Sequence, residues 1–129
     1  MQELTPTGIH APFAAYSHGV MFPAGWRVLR TSGQLGIGVD GTVPASAFGQ
    51  ASLCFGNIRE ILHAGGLAPG DVVHISAWVT DRAHMAAYMQ ARDAFLAGTG
   101  RCPASTVIIV SGFSRPEYMV EVEAMAAAP

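Results

Sequence analysis

The sequence predicts an α+β sandwich with the element order ββαβαββ, in which both helices cover one face of a sheet. Three observations carry this prediction. Two segments place apolar residues at steps of three and four, as amphipathic helices do. Five segments are rich in β-branched residues or alternate between apolar and polar residues, as strands do. Each predicted helix lies between strands that can pair in parallel through a right-handed crossover.

The first half of the chain begins with two short strands and continues into a long helix. The strands are expected at residues 16–22 and 27–32, joined across the turn-rich tripeptide 23–25. The helix is expected from about Pro44 to His63, followed by a Gly65–Gly66 stop. Its predicted apolar stripe consists of Phe48, Ala51, Phe55, Ile58 and Leu62.

The second half alternates between strand and helix. A strand is expected at residues 71–80, and a helix at residues 82–97 with Thr80 or Asp81 as its N-cap. Another strand is expected at residues 105–112. The alternation of the first of these strands places four apolar residues on one face, namely Val73, Ile75, Ala77 and Val79.

The last strand, expected over residues 118–125, carries two carboxylates on one face. Val120 and Val122 point one way, and the opposite face carries Met119, Glu121, Glu123 and Met125. With the valines on the helices, the carboxylates lie on a face that only a partner subunit can cover. Carboxylates in a largely apolar interface are costly unless they are paired or functional. Two interpretations stay open: a pair bridged to arginines across the interface, or an acid/base that positions water.

Composition restricts the classes of function. A chain of 129 residues is expected to form one domain over residues 1–129. Half of the residues are hydrophobic and 12% are charged, so apolar surface is expected to meet a second copy. All seven basic residues are arginine, which excludes lysine Schiff bases, covalent PLP and a Walker A lysine. The net charge of −2 gives no basic face for nucleic acid.

Neither a metal nor a cofactor is expected. The five histidines are scattered without ligand spacing, and Cys54 and Cys102 are interpreted as reduced thiols. The GxGxxG run from Gly36 is not followed at once by a helix, so it predicts no dinucleotide site. The start of the chain lacks a basic leader and no apolar stretch predicts a membrane span, so we expect a soluble cytoplasmic protein.

Tyr16 and His18 share one face of the first predicted strand. Beside a carboxylate, such a pair can transfer protons, because histidine titrates near neutrality. The alternative is that His18 is an ordinary structural histidine. No GxSxG motif surrounds any serine, so no nucleophile elbow is predicted.

In order along nearly the whole chain, local patterns resemble those of the Rid (YjgF) family of reactive-intermediate deaminases. The similar segments are Tyr16–Val20, Thr31–Gln34, Gln50–Ile58, Ile61–Gly66, Gly70–Val73, Cys102–Ser105 and Val120–Ala126. The resemblance implies a chorismate-mutase-like fold that assembles as a homotrimer with ligand clefts between subunits. It also implies metal-free and cofactor-free hydrolysis of small enamines or imines to 2-keto acids and ammonia.

The resemblance implies site residues too, and it fails at one decisive position. Members clamp the substrate carboxylate with an arginine in a Pro-Ala-Arg-Ser motif, but this chain has Ser105 at that place. A hydroxyl does not replace a bidentate guanidinium. The glutamate that places the water corresponds to Glu121, and the tyrosine near the cleft corresponds to Tyr16. Met89 and Arg92 stand where members often have Asn and Tyr.

Two explanations of Ser105 stay open. Another arginine reaches the cleft, the candidates being Arg30, Arg92, Arg101 and Arg115. Alternatively, the substrate is not a simple 2-imino acid and Ser105 hydrogen-bonds a different polar group. The predicted catalytic residues are Glu121, Tyr16 and Ser105, and the predicted substrate-binding residues are Ser32, Gly33, His18, Arg92, Arg101 and Thr106. The competing hypothesis is a non-catalytic ligand-binding or interaction trimer, whereas the acidic balance disfavours the older ribonuclease label of the family.

Overall fold

A computed structural model describes residues 1–129 and contains seven strands and two helices. The strands are β1 (Gln2–Leu4), β2 (Gly19–Met21), β3 (Arg27–Arg30), β4 (Gln34–Leu35), β5 (Val72–Val79), β6 (Ala104–Ile109) and β7 (Val120–Ala128). The helices are α1 (Ala47–Ala64) and α2 (Met85–Leu96), and short 3₁₀ turns precede β5 and α2. The predicted α+β class is confirmed.

The main sheet is organised around β7. Its strands run in the order β3-β7-β5-β6, and β4 pairs with β7 on the same side as β3. β5 and β6 are parallel and are connected through α2, as expected for a crossover. The crossover through α1 is different, because β7 lies between the strands that precede and follow that helix.

The two predicted strands joined across residues 23–25 do not pair with each other. β2 pairs with β1, which the sequence analysis missed, in a separate two-stranded sheet. β3 pairs instead with the alanine-rich end of β7, where Leu29 packs against the hydrophobic core. β2 also begins later than predicted: Tyr16 and His18 precede it, and Ser17 makes only an isolated bridge to Ala104.

Side-chain caps set where the helical segments begin. The Ser46 hydroxyl accepts a hydrogen bond from the Gly49 N–H at 3.0 Å, so α1 begins at Ala47, after the predicted Pro44. Asp81 caps the 3₁₀ turn ahead of α2 by accepting from the Ala83 N–H at 2.7 Å. The predicted stripe of α1 is buried except for Phe48, which is 43% exposed. Neither helix is long and apolar enough to cross a membrane.

A single hydrophobic core fills the space between both helices and one face of the main sheet. β7 contributes Val120 and Val122 to it, as the alternation predicted. On β5 the register shifts at the start of the strand, so Val72 joins the core cluster in place of the predicted Val73. Met119 precedes β7 and packs against the core, so its predicted place beside the glutamates is wrong.

Cys54 lies inside this core with its Sγ 3.7 Å from the Val120 carbonyl oxygen. Burial raises the pKa of its thiol to about 12. Because the thiolate is the reactive form, only about one molecule in 10⁴ has a nucleophilic Cys54 at pH 8.

We expect iodoacetamide at pH 8 to label half-buried Cys102 and to spare Cys54 until urea unfolds the protein, as measured by peptide mass mapping. Equal labelling rates in the folded protein would contradict this placement.

Candidate functional site

The face of the main sheet that the helices leave uncovered carries two adjacent clefts that share Glu123. The first, the open-face cleft, measures about 310 Å³ and is lined by Gly33, Trp78, Val110, Gly112, Phe113, Glu121 and Glu123. The second measures about 270 Å³ and is lined by Arg30, His74, Ser76, Glu123, Ala124 and Met125. The two carboxylates of β7 therefore lie where the alternation predicted.

Glu121 rests directly against Gly33. A Cβ atom at Gly33 would overlap the Glu121 Oε1 and would lie 2.8 Å from its Cδ, so only glycine leaves room for the carboxylate in this position. Glu121 pairs in the sheet with Trp78 and Leu35, which fix its backbone from both sides. Its carboxylate forms neither a hydrogen bond nor an ion pair within the chain. It is a free acceptor at the floor of a cleft.

Glu123 differs from Glu121 because it is paired. Its Oε1 lies 3.2 Å from the Arg30 Nη2, whereas no arginine of the chain pairs with the Glu121 carboxylate. The bridge is formed within one chain rather than across an interface. No three His, Cys, Asp or Glu residues come close enough together to hold a metal ion.

Gln50, which was not among the predicted site residues, attaches the segment before β7 to α1. The side chain of Gln50 is fully buried. Its Nε2 donates to the carbonyls of Pro44 at 2.9 Å and Glu117 at 2.8 Å, and its Oε1 accepts from the Met119 N–H at 2.8 Å. A signal was present, since Gln50 occupies the same inward helical row as Cys54, at a spacing of four.

Ser105 lies on the opposite face of the sheet from Glu121. Ser105 pairs with Ile75 in the parallel β5–β6 register, and Ile75 belongs to the core between sheet and helices. Thr106 pairs with Ser76 and so faces the other way, toward the clefts. Ser32 is exposed just before Gly33. One chain therefore does not bring Ser105 and Glu121 together.

Tyr16 and His18 lie near the start of β6 and not in the open-face cleft. Their rings meet edge to face with centroids 5.9 Å apart, but both residues precede β2 and do not share a strand face as predicted. The His18 Nε2 lies 2.7 Å from the His10 carbonyl oxygen, which can only accept, so His18 donates there. This hydrogen bond ties the His18 ring to the backbone of the segment before β2.

The four candidate arginines differ in burial. Arg30 and Arg115 are largely exposed and are paired with Glu123 and Glu117. Arg101 is exposed beside a cleft of about 370 Å³ that also contains Cys102. Arg92 is the exception: its side chain is 5% exposed, and its Nε and Nη2 both donate to the Asp93 Oδ1, at 3.0 and 2.8 Å. It lies on the inward face of α2.

A methyl group at Gly33 tests the Glu121 position without disturbing the core. In Gly33→Ala, the flexible carboxylate can move away, so we expect a small loss of stability. Catalysis by a group displaced by about 1 Å is expected to fall by about 10²-fold. Gly56→Ala on α1, where a Cβ meets nothing within 4 Å, is the matched control. Urea unfolding together with turnover measures both effects, and unchanged turnover in Gly33→Ala would argue against a catalytic carboxylate there.

Comparison with known proteins shows similarity over nearly the whole chain. Residues 8–128 match the family model described as Endoribonuclease L-PSP. YyfB of Yersinia pestis, a Rid-family protein of unknown function, is 26% identical over 98% of each chain, with a TM-score of 0.87. The YjgF gene product of E. coli is 26% identical over 100% of each chain, with a TM-score of 0.75. TdcF of E. coli, solved with bound serine, is 26% identical over 97% of this chain and 94% of its own, with a TM-score of 0.75.

Proposed function

Because the chain belongs to the Rid (YjgF) family, whose L-PSP model it matches over residues 8–128, we propose that it is a cytoplasmic, single-domain hydrolase of small imines or enamines. The substrate is a carboxylate-bearing or related carbonyl metabolite, and the reaction uses water without metal or cofactor. TdcF of E. coli, to which this chain is similar, holds a bound serine, which is itself a small carboxylate-bearing molecule.

The observation that carries this proposal is the unpaired Glu121 carboxylate above Gly33. Of the two glutamates on the open face, Glu121 is the one that no arginine of the chain neutralises. Gly33 lies against its carboxylate and has no side chain that would occupy the same space. A carboxylate with free lone pairs in a cleft can hold and deprotonate a water molecule. Trp78 and Phe113 line the same cleft.

In the proposed reaction, Glu121 accepts a proton from water as the water oxygen bonds to the imine carbon. The C=N π electrons move to nitrogen, which takes up the proton held by Glu121, and a carbinolamine results. A second proton then passes from the carbinolamine hydroxyl to the nitrogen, and the C–N bond breaks. Ammonia leaves, and the former water oxygen remains as the carbonyl oxygen of the product. Imine and water are thus converted to a carbonyl compound and ammonia.

Two copies of the chain complete the proposed site. Ser105 and Glu121 face opposite sides of one sheet, so a ligand that contacts both must lie between two subunits. We propose a homotrimer with Ser105, Tyr16 and Arg92 of one subunit opposite Glu121 and Gly33 of the next. The exposed apolar side chains Phe13, Ile108 and Ile109 support such contacts, because Ile108 and Ile109 belong to the edge strand β6.

Ribonuclease activity is not the function that these residues favour. Three of the seven arginines are neutralised by carboxylates, and the net charge of the chain is −2. Binding of an RNA backbone requires a basic surface that follows the phosphates. The charges of this chain therefore do not favour an RNA substrate.

The proposed hydrolysis is tested with imines that an enzyme generates in the assay mixture. An amino-acid oxidase converts several amino acids to 2-imino acids, and semicarbazide competes with the protein for them. We expect the protein to lower semicarbazone formation for at least one imine. If no imine is hydrolysed faster than in buffer, the catalytic proposal fails. Binding of a small carboxylate without acceleration would then favour the non-catalytic ligand-binding trimer.

A further inference from the structure

Between β3 and β4, the chain that borders β7 contains one extra residue. The β3 register pairs Arg30 with Met125. The β4 register pairs Gln34 with Val122. Three residues lie between Arg30 and Gln34, but only two lie between Met125 and Val122. An extra residue on one of two paired strands is a β-bulge, which bends the strand and re-aims its side chains. We call residues 31–33 the bulge.

A side chain completes the strand pairing where the bulge begins. In a hydrogen-bonded antiparallel pair, each residue donates its N–H to the carbonyl of the other. The Thr31 N–H donates to the Ala124 carbonyl at 2.9 Å, but the Ala124 N–H donates to the Thr31 Oγ1 at 3.0 Å. The hydroxyl thus takes the place of the Thr31 carbonyl, and the backbone can leave the strand pairing after this residue. Thr31 and Ala124 are both buried, so the Ala124 N–H depends on this hydroxyl.

A second side chain holds the other end of the bulge. The Gln34 Nε2 donates to the carbonyl of Ser32 at 3.2 Å and to that of Gly33 at 3.4 Å. Ser32 and Gly33 are the residues that the bulge removes from the strands. Thr31 and Gln34 therefore fix the bulge from both ends.

The extra residue determines what lies against Glu121. Counted on from the pair of Arg30 and Met125, Gln34 would lie opposite Glu121 and share its face of the sheet. A shift of one residue exchanges the two faces of a strand. In the structure Leu35 is opposite Glu121, and Gly33 lies against the carboxylate. The bulge thus keeps the amide of Gln34 away from the carboxylate.

From this geometry we propose that Thr31 is a positioning residue for imine hydrolysis. Its hydroxyl holds the bulge, the bulge sets Gly33 against Glu121, and the carboxylate stays free to accept from water. Thr31 does not line the open-face cleft, so it acts through Gly33 rather than on the substrate. The inference rests on the proposed function, because it assigns how the chain holds the proposed base.

Thr31→Val removes the hydroxyl and keeps the branched shape of the side chain. The Ala124 N–H then lacks an acceptor unless the carbonyl of residue 31 enters the strand pairing, which closes the bulge. We expect a crystal structure of Thr31→Val to show Gly33 displaced from Glu121. Displacement by about 1 Å is expected to lower kcat by about 10²-fold. KM should change far less, because no residue that lines the cleft is removed. Thr31→Ser keeps the acceptor and should restore most of kcat.

Two comparisons distinguish positioning from a general loss of stability. Ile58 is a fully buried core residue of α1 outside the cleft. Ile58→Val is expected to lower the melting temperature by roughly 3–6 °C and to leave kcat at 25 °C unchanged. Thr31→Val and Gly33→Ala displace the same carboxylate. In the double variant, the loss of kcat should therefore stay near the larger single loss rather than equal the product of the two.

The inference is overturned if the crystal structure of Thr31→Val keeps the wild-type register with Gly33 against Glu121. It is also overturned if kcat falls no further than in Ile58→Val, or if the losses of the double variant multiply. If Thr31→Val does not fold, Gln34→Met removes the amide at the other end of the bulge. An unmoved Gly33 and an unchanged kcat in that variant would overturn the inference as well.

The inference and the proposed function fail separately. If the wild-type protein hydrolyses no imine, the proposed reaction is wrong, and the crystal structures still decide whether Thr31 sets Gly33 against Glu121. If imine hydrolysis depends on Glu121 while Thr31→Val keeps full turnover, the reaction stands and the positioning role of Thr31 is wrong.

Discussion

Glu121→Gln is expected to lower kcat for imine hydrolysis by about 10²- to 10⁴-fold, the range typical for removal of a general base. Glutamine keeps the size and the hydrogen-bonding oxygen of glutamate but does not accept the proton of the attacking water. The fold should be unaffected, because the Glu121 carboxylate contacts no hydrogen-bonding partner within the chain. Single-turnover measurement of the semicarbazide competition would give the size of the loss.

Glu123→Gln is the control for that substitution. Glu123 lies two residues further along β7 on the same face, but Arg30 already pairs with it at 3.2 Å. We expect its loss to change turnover far less than the loss of Glu121. Equal losses in the two variants would mean that the face as a whole, rather than one carboxylate, supports the reaction.

Gln50→Leu is expected to destabilise the protein by about 2–5 kcal/mol, because it leaves three backbone groups without their partner. Leucine fills nearly the same space, so the loss reports the hydrogen bonds to Pro44, Glu117 and Met119 rather than a cavity. The same bonds attach the segment before β7 to α1, so turnover should fall along with stability. Urea unfolding with a fixed m-value measures the change.

Gln90→Leu provides the matched comparison for Gln50→Leu. Gln90 lies on the exposed side of α2 and forms no hydrogen bond, so its substitution is expected to change the free energy of unfolding by less than about 0.5 kcal/mol. A loss at Gln50 no larger than the loss at Gln90 would show that the three hydrogen bonds contribute little to stability.

Local periodicity predicted the parts of the fold that depend on one segment at a time. The alternation of β7 correctly separated Val120 and Val122 from Glu121 and Glu123. Pairing between segments was harder to predict, because it depends on contacts distant in sequence. β2 lies close to β3 along the chain, yet it pairs with β1, while β3 pairs with β7 and packs Leu29 against the core.

Sequence patterns indicated single residues of the candidate site, but they did not indicate how these residues are placed relative to one another. Alternation within β7 places Glu121, but it does not say which face of β6 carries Ser105, because that depends on the β5–β6 register. Tyr88 is a buried core residue. Its unpaired hydroxyl becomes visible only when every neighbour is placed, so no sequence pattern indicated it.

The opposite orientations of Ser105 and Glu121 also allow two inactive alleles to complement each other. No small ligand reaches through a single sheet, so in an assembly of the proposed kind each polypeptide contributes halves to two different pockets. A lesion at either face damages only one of these halves. Co-expressed alleles with lesions on opposite faces can therefore rebuild a whole pocket from two intact halves. Neither allele retains such a pocket in its own homo-oligomer.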